Sequence, residues 1–344
     1  MRVTAAASTD VANQQGAPKV FWDHIFRDVK DRELAPPEIA SPALYCPVAD
    51  THAHLDMLHY PALALARSAA HGVSFIVTVV DPTEDPAYTY QSLTAWESAA
   101  RELLDDWGIN APTPHIRISI GCHPHNASKY TREVEQLLIE HAASHITSAI
   151  GEIGLDYHYD MSPRHVQREV FRRQLALANE MGLPVTIHLR EAHQDGLRIL
   201  EEEGVPALGI LLHCFNLDFD VLAPFLRLGC YVAYGGPLTF KKCDDVRDSA
   251  RRTPIERVLT ETDAPFMAPD PKRGTVCGPE DTVFTAAKLA EVHGVEGQAR
   301  IELLTRVYEN ALDFFDRKPS VWQTDRAAVQ LLISKATGFA GTEG

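Results

Sequence analysis

The sequence predicts an α/β protein folded as a (β/α)8 TIM barrel, and three observations predict it. From about residue 44 onward, apolar β-rich runs alternate with helix-patterned stretches, the beat of βα units around a parallel sheet. Eight such runs fall within roughly 270 residues, which matches the barrel in number and length. No Gly-x-Gly-x-x-Gly follows the first run, and this counts against the competing architecture, an open doubly wound sheet.

Residues 1–43 form an N-terminal extension. Residues 1–19 are small and polar, a composition that favours disorder. Over 20–32, Phe21, Trp22, Ile25, Phe26 and Val29 make an apolar stripe against Asp23, Asp28, Lys30 and Asp31. That pattern predicts an amphipathic helix packed on the main domain. Its polar face is not basic, which argues against a membrane anchor. Ala35-Pro36-Pro37 ends it.

The barrel is expected over 44–316. The first strand is predicted at 44–50, and near-continuous apolar runs follow at Val73–Val80, His115–Gly121, Ser148–Leu155, Pro184–Arg190, Gly209–Phe215, Cys230–Tyr234 and Arg257–Asp263. Such runs suit strands buried on both faces. Helical patterns fill the gaps near 61–70, 86–106, 131–143, 163–181, 192–203, 217–227 and 243–251, with two more near 280–293 and 297–315. Residues 317–344 read as a C-terminal tail with a short helix at 325–335 and an end that frays.

With 344 residues, 45% of them hydrophobic, the chain can bury a large core. A net charge of -15 repels long nucleic acid and does not favour anionic membranes. It leaves room for a nucleic-acid substrate held by bound metal and a few local basic groups. The six cysteines, Cys46, Cys122, Cys214, Cys230, Cys243 and Cys277, include no Cys-x-x-Cys pair and read as free thiols in a reducing compartment. No apolar run reaches transmembrane length, and the N-terminus has no apolar signal-peptide core. A cytoplasmic enzyme is the expectation.

The C-terminal ends of barrel strands are where such enzymes keep their chemistry. Strand one ends Asp50-Thr51-His52-Ala53-His54-Leu55-Asp56, with Asp50, His52 and His54 sharing one face by strand parity. Strand three runs into Gly121-Cys122-His123-Pro124-His125, and strand four into Gly151-Glu152-Ile153-Gly154-Leu155-Asp156-Tyr157. Strand five ends Ile187-His188-Leu189-Arg190, strand six His213-Cys214-Phe215, and strand eight Glu261-Thr262-Asp263-Ala264-Pro265. An isolated His-x-His has little weight. Ionisable residues at one end of five of these strands, the first, fourth, fifth, sixth and eighth, are costly to bury unpaired, and packing does not explain them. Four histidines and two carboxylates are enough for two divalent ions.

These motifs, in this order over about residues 46–316, resemble the TatD-type deoxyribonuclease family within the amidohydrolase-like metal-dependent hydrolases. The resemblance implies a TIM barrel, two divalent metals and hydrolysis of DNA phosphodiesters; exonuclease action on DNA ends is the first expectation, and four histidines with two carboxylates suit zinc or manganese better than magnesium. It implies His52, His54, Glu152, His188, His213 and Asp263 as ligands, with Glu152 bridging. Many related hydrolases place a carboxylated lysine at that bridge, whereas Glu152 needs no modification. A shared carboxylate relieves repulsion between two cations that activate a water.

Asp263 is then expected to ligate and to take the water's proton. Arg190, one strand repeat beyond His188, is placed to grip a phosphate bidentately, with an ordinary salt bridge to Glu152 or Glu261 as the alternative. The resemblance suggests that His123 contacts phosphate or protonates the leaving group. Glu261 and Asp50 are expected to orient imidazoles. Hydrolysis of a carboxylic ester or amide, on a small molecule or an aminoacyl group, is the alternative. The segments Val276-Cys277-Gly278-Pro279-Glu280, Asn216-Leu217 and Tyr234-Gly235-Gly236-Pro237 depart from the family pattern in loops that face substrate.

Overall fold

The computed structural model describes residues 20–21 and 39–338. Eight strands run parallel in the order β1 to β8: β1 Val48–Ala53, β2 Val73–Val80, β3 His115–Ile120, β4 Thr147–Asp156, β5 Val185–Arg190, β6 Ile210–Leu212, β7 Tyr231–Tyr234 and β8 Val258–Thr260. The sheet closes on itself between β8 and β1. Asp263 N–H donates to the His52 carbonyl at 2.9 Å, and His54 N–H to the Ala264 carbonyl at 2.7 Å. The hydroxyls of Thr51 and Thr260 donate across the same seam to the carbonyls of Thr260 and Ala49, at 3.0 and 2.8 Å. The predicted (β/α)8 barrel is therefore the fold observed.

Seven helices alternate with the strands: α1 Pro61–Ala70, α2 Pro86–Asp106, α3 Arg132–Ala142, α4 Arg164–Met181, α5 His193–Glu203, α6 Phe219–Arg227 and α7 Asp244–Arg252. Then come α8 Thr282–Val292, α9 Gly297–Phe315, α10 Val321–Thr324 and α11 Arg326–Gly338. Several start on a side chain that satisfies an orphan amide. Asp85, Thr131 and Asp218 accept from the N–H groups of Tyr88, Val134 and Val221.

The strand ends differ from the sequence expectation for identifiable reasons. β1 begins at Val48, because Tyr45 adopts φ +60 and Pro47 has no N–H to donate. β6 and β8 stop early, at Leu212 and Thr260, because Cys214 (φ +46) and Asp263 (φ +65) turn into the left-handed region. The N-terminal helix expected at 20–32 is not what Val20–Phe21 form; they pair antiparallel with Ile39–Ala40. The rest of that expectation, the disorder expected at 1–19 and the fraying expected at 339–344 lie outside the described residues.

The barrel interior is packed from below. Ala49, Phe75, Val77, Ala149, Leu211, Ala233 and Leu259 meet Ala311, Phe314 and Phe315 of α9 in one buried cluster. Asn310 fixes that helix by donating to the carbonyls of Ile255 and Val258 at 2.7 and 2.9 Å. Residues 317–338 continue past the barrel helices and are docked on them. The Gln323 side-chain amide donates to the carbonyls of Ala142, Ser144 and Thr147 at 2.9–3.0 Å.

Candidate metal centre

Two of the strands leave strict alternation just before the residue they deliver. Ala49 belongs to the interior cluster, and His52, three residues on, is also fully buried; the β1–β2 pairing shifts between Asp50 and Ala53. Ala149 and Glu152 repeat this spacing on β4, where the β4–β5 pairing shifts between Ile150 and Ile153. The strand-parity argument for β1 therefore fails locally, and the irregularities aim His52 and Glu152 at each other. His52 Nε2 lies 3.2 Å from Glu152 Oε2. Two glycines permit the approach. A Cβ at Gly151 would come within 2.7 Å of Thr186 Cβ, and one at Gly154 (φ +146) within 2.0 Å of the His188 carbonyl oxygen.

Glu152 is the centre of the constellation. Its Oε1 faces His188 Nδ1 at 2.6 Å, His213 Nε2 at 2.7 Å and His123 Nε2 at 3.4 Å. Its Oε2 faces His52 Nε2 at 3.2 Å and His54 Nε2 at 3.9 Å. Asp263 completes the second side, with Oδ1 3.6 Å from His54 Nε2 and 3.8 Å from His52 Nε2. The His52 and His213 rings stack with centroids 4.0 Å apart. All six residues expected from the sequence converge, and His123 joins them. Three overlapping sets have the spacing to hold a cation: His52, Glu152 and His213; His52, His54 and Asp263; His123, Glu152 and His188.

The surroundings fix the imidazoles. His188 Nε2 and His125 Nε2 lie 3.2 and 2.8 Å from Asp156 Oδ2. Asp156 is fully buried, and the sequence reasoning gave it no role. The available signal was its even spacing from Glu152 on the same strand. Glu261 Oε1 accepts the Cys214 N–H and lies 3.7 Å from His213 Nδ1, beyond hydrogen-bond reach, so it faces the ring by charge without a hydrogen bond that would orient it. Asp50 differs from expectation: it accepts from Thr262 N–H at 2.9 Å and the Thr262 hydroxyl at 2.6 Å, and so clamps β8 to β1 rather than orienting a ring. His123 is set by Asp81, whose Oδ2 accepts its N–H at 3.1 Å. Arg190 is exposed on the rim, its guanidinium 4.7 Å from the centre of the Tyr159 ring.

Electrostatics show what the site attracts. Burial would push the His213 imidazole down, but the Glu152 charge overcomes it and holds the group well above its ordinary value. His54 is raised against the same burial by Asp263, and His188 by Asp156 and Glu152. Burial works against the Glu152 carboxylate too, yet His213, His123 and His52 hold it well below the ordinary range. The site draws positive charge, then, and its donors are imidazole nitrogens and carboxylate oxygens. His188 Nδ1 and His213 Nε2 lie 3.2 Å apart while both face one carboxylate oxygen. His52 Nδ1 is buried without a hydrogen-bond partner. Nitrogens converging on a shared anion with few donors to satisfy them suit a divalent cation.

Comparison with known proteins agrees with the geometry. The profile of the TatD-related DNase family matches residues 49–316. The metal-dependent hydrolase YabD of Bacillus subtilis is 35% identical over 269 residues, covering 77% of this chain and 98% of that protein. YcfH of Escherichia coli K12, also named a metal-dependent hydrolase, is 34% identical and covers 74% of this chain and 92% of its own. A human protein named a 3'-5' RNA nuclease is 31% identical over 76% of this chain, which corresponds to 34% of the human protein. Among solved structures, a TatD homologue from Escherichia coli K12 superposes with a TM-score of 0.67 at 25% identity, covering 79% of this chain and 99% of that one. With its whole barrel matched by the family profile and by relatives of nearly full length, the chain belongs to the TatD family of metal-dependent hydrolases.

Proposed function

We propose that this protein is a two-metal phosphodiesterase that acts on the ends of nucleic-acid strands, DNA first among them. The observation that carries the reading is Glu152, which offers Oε1 to one group of imidazoles and Oε2 to the other. In this reading His52, His54 and Asp263 would hold one ion, His188 and His213 would hold the other, and Glu152 would be shared between them. The donor set suits zinc or manganese better than magnesium. Divalent cations bound there supply Lewis acidity to a water and to the phosphate oxygens.

The chain's own residues do the rest. Asp263, partly open to solvent, takes the proton of the attacking water. His123, also partly exposed and facing Glu152 at 3.4 Å, contacts the phosphate or gives a proton to the leaving oxygen. Arg190 offers a planar fork to two phosphate oxygens from the rim. A family description as DNases and a human relative named as an RNA nuclease support phosphodiester chemistry over an ester or amide. The free thiols among the described residues suit a reducing compartment, and we assign the protein to the cytoplasm. No helix of the described residues is long and apolar enough to cross a membrane.

The test is a hydrolysis screen of the metal-loaded protein on single-stranded DNA, duplex DNA, RNA and aminoacyl esters, with the metal content measured alongside. Hydrolysis of esters with no release of nucleotides would replace the phosphodiesterase reading. Frayed or single-stranded ends should outpace duplex interiors, because the acidic surface gives the backbone little to track.

A further inference from the structure

We infer that Tyr159 and Phe266 form a pair of base-stacking platforms on opposite sides of the metal centre, which makes the enzyme selective for unpaired strands. The inference rests on the phosphodiesterase reading above. The two rings are half exposed, at 52% and 49%; of the other described Phe, Tyr and Trp side chains only Tyr45, Tyr60 and Tyr88 are exposed, and what sets Tyr159 and Phe266 apart is their contact with imidazoles of the site. One follows β4 and the other β8, and those strands lie half-way round the barrel from each other. Both are built alike. Tyr159 stands three residues past Asp156 and donates its N–H to Asp156 Oδ1 at 2.9 Å. Phe266 stands three residues past Asp263 and donates its N–H to the Asp263 carbonyl at 2.8 Å.

Each ring is also in edge contact with an imidazole at the mouth. Phe266 meets His54 with centroids 6.2 Å apart, and Tyr159 meets His125 at 5.4 Å. The Tyr159 ring carries the Arg190 guanidinium 4.7 Å from its centre, a local cation on a chain of net charge -15. An exposed ring on each flank, one of them with a guanidinium over it that a phosphate can draw aside, matches a strand whose phosphate sits at the metals and whose neighbouring bases lie on the rings. Stacking needs an unpaired base and tolerates any sequence, since every base has a π-face. A duplex offers such bases only where it frays.

The experiment compares kcat/KM of the full-length, metal-loaded protein on a single-stranded oligodeoxynucleotide and on an abasic oligomer of equal length. The phosphates are the same and the bases are absent from the second. The wild type should prefer the base-bearing strand, and Tyr159→Ala and Phe266→Ala should each reduce that preference about tenfold, mainly through KM. Tyr159→Phe and Phe266→Trp should restore it, because they keep a ring. Equal rates of the wild type on both oligomers, or alanine variants that keep the wild-type ratio, would overturn the platforms while leaving phosphodiester hydrolysis intact. Hydrolysis of neither oligomer would remove the phosphodiesterase reading and the platforms with it.

Discussion

At the lower end of the barrel, Asp316 accepts from Arg117 Nε at 2.8 Å and lies 3.1 Å from His115 Nε2. Below the strands, Phe314 and Phe315 fill the interior, and the backbone carbonyls of the α3–β4 turn are taken up by Gln323. At the upper end, Glu152 faces five imidazole nitrogens within 3.9 Å, groups whose positive charge is optional. The difference is in how each end settles an anion, buried above and exposed below. Below, a permanent guanidinium cation does it, and the contact is complete as it stands. Above, imidazoles crowd the anion, and the protons its charge draws onto His188 and His213 are ones that a bound cation would displace. An ion pair of the lower kind serves stability, whereas the upper arrangement serves binding of a cation. Substitutions at the two ends should therefore separate cleanly into losses of activity and losses of stability.

The largest effect is expected at the top. Glu152→Gln removes the charge that both groups share, so activity should fall on the order of 10³-fold and at least one metal should bind more weakly. The fold should persist, because the amide has nearly the same shape. Metal content by elemental analysis, kcat and melting temperature measured together check this; normal turnover at full metal content would end the bridging role. The matching change below is Phe315→Ala, which empties part of the plug and should cost about 3–5 kcal/mol of stability. Its kcat per folded molecule should stay near wild type. A Phe315 variant that folds normally but turns over slowly would show that the two ends are coupled and break the separation.

Arg190 sharpens the division within the top itself. If it grips phosphate, Arg190→Ala should lose about 2–4 kcal/mol of transition-state stabilisation, and Arg190→Lys should lose less, since the charge stays while the fork goes. Metal content should not change in either variant. The readout pairs kcat/KM on an oligonucleotide with the melting temperature. A lower melting temperature with unchanged turnover would reassign Arg190 to holding Tyr159 in place.

Most of this architecture was legible because its causes are local. Val73–Val80 is nearly continuous apolar sequence, so its burial on both faces and its limits follow from composition alone. The ends of β1, β6 and β8 were not legible, since nothing in the residue types of Tyr45, Cys214 or Asp263 announces a left-handed backbone. The metal candidates were found by convergence at strand ends rather than by geometry, and the parity argument for β1 was overtaken by the shifts that bring His52 onto Glu152. Asp156 was visible at even spacing but needed its contacts to His125 and His188 before it meant anything. The docking of Gln323 depends on three carbonyls that tertiary structure alone brings together.

The smallest predicted effect tests the lower end by pH. Burial works against the Asp316 carboxylate, but Arg117 and His115 outweigh it and hold its pKa below the ordinary value. A carboxyl depressed in the folded state binds protons more weakly there than in the unfolded chain. Its stabilisation is therefore fully present above the ordinary carboxylate pKa of about 4 and is lost as the pH falls through the lower folded value. The pair is partly open to water, so its worth at neutral pH is about 0.5–1 kcal/mol after screening. Asp316→Asn should lower the melting temperature by roughly 1–2 °C at pH 7. Below pH 4 the gap between variant and wild type should close, because protonation does to Asp316 what the substitution did already. Turnover at pH 7 should not move, since the carboxylate lies at the opposite end of the strands from Glu152. A constant difference in melting temperature from pH 7 down to pH 3 would mean that Asp316 acts through shape rather than charge, and the contrast between the two ends would lose its electrostatic basis.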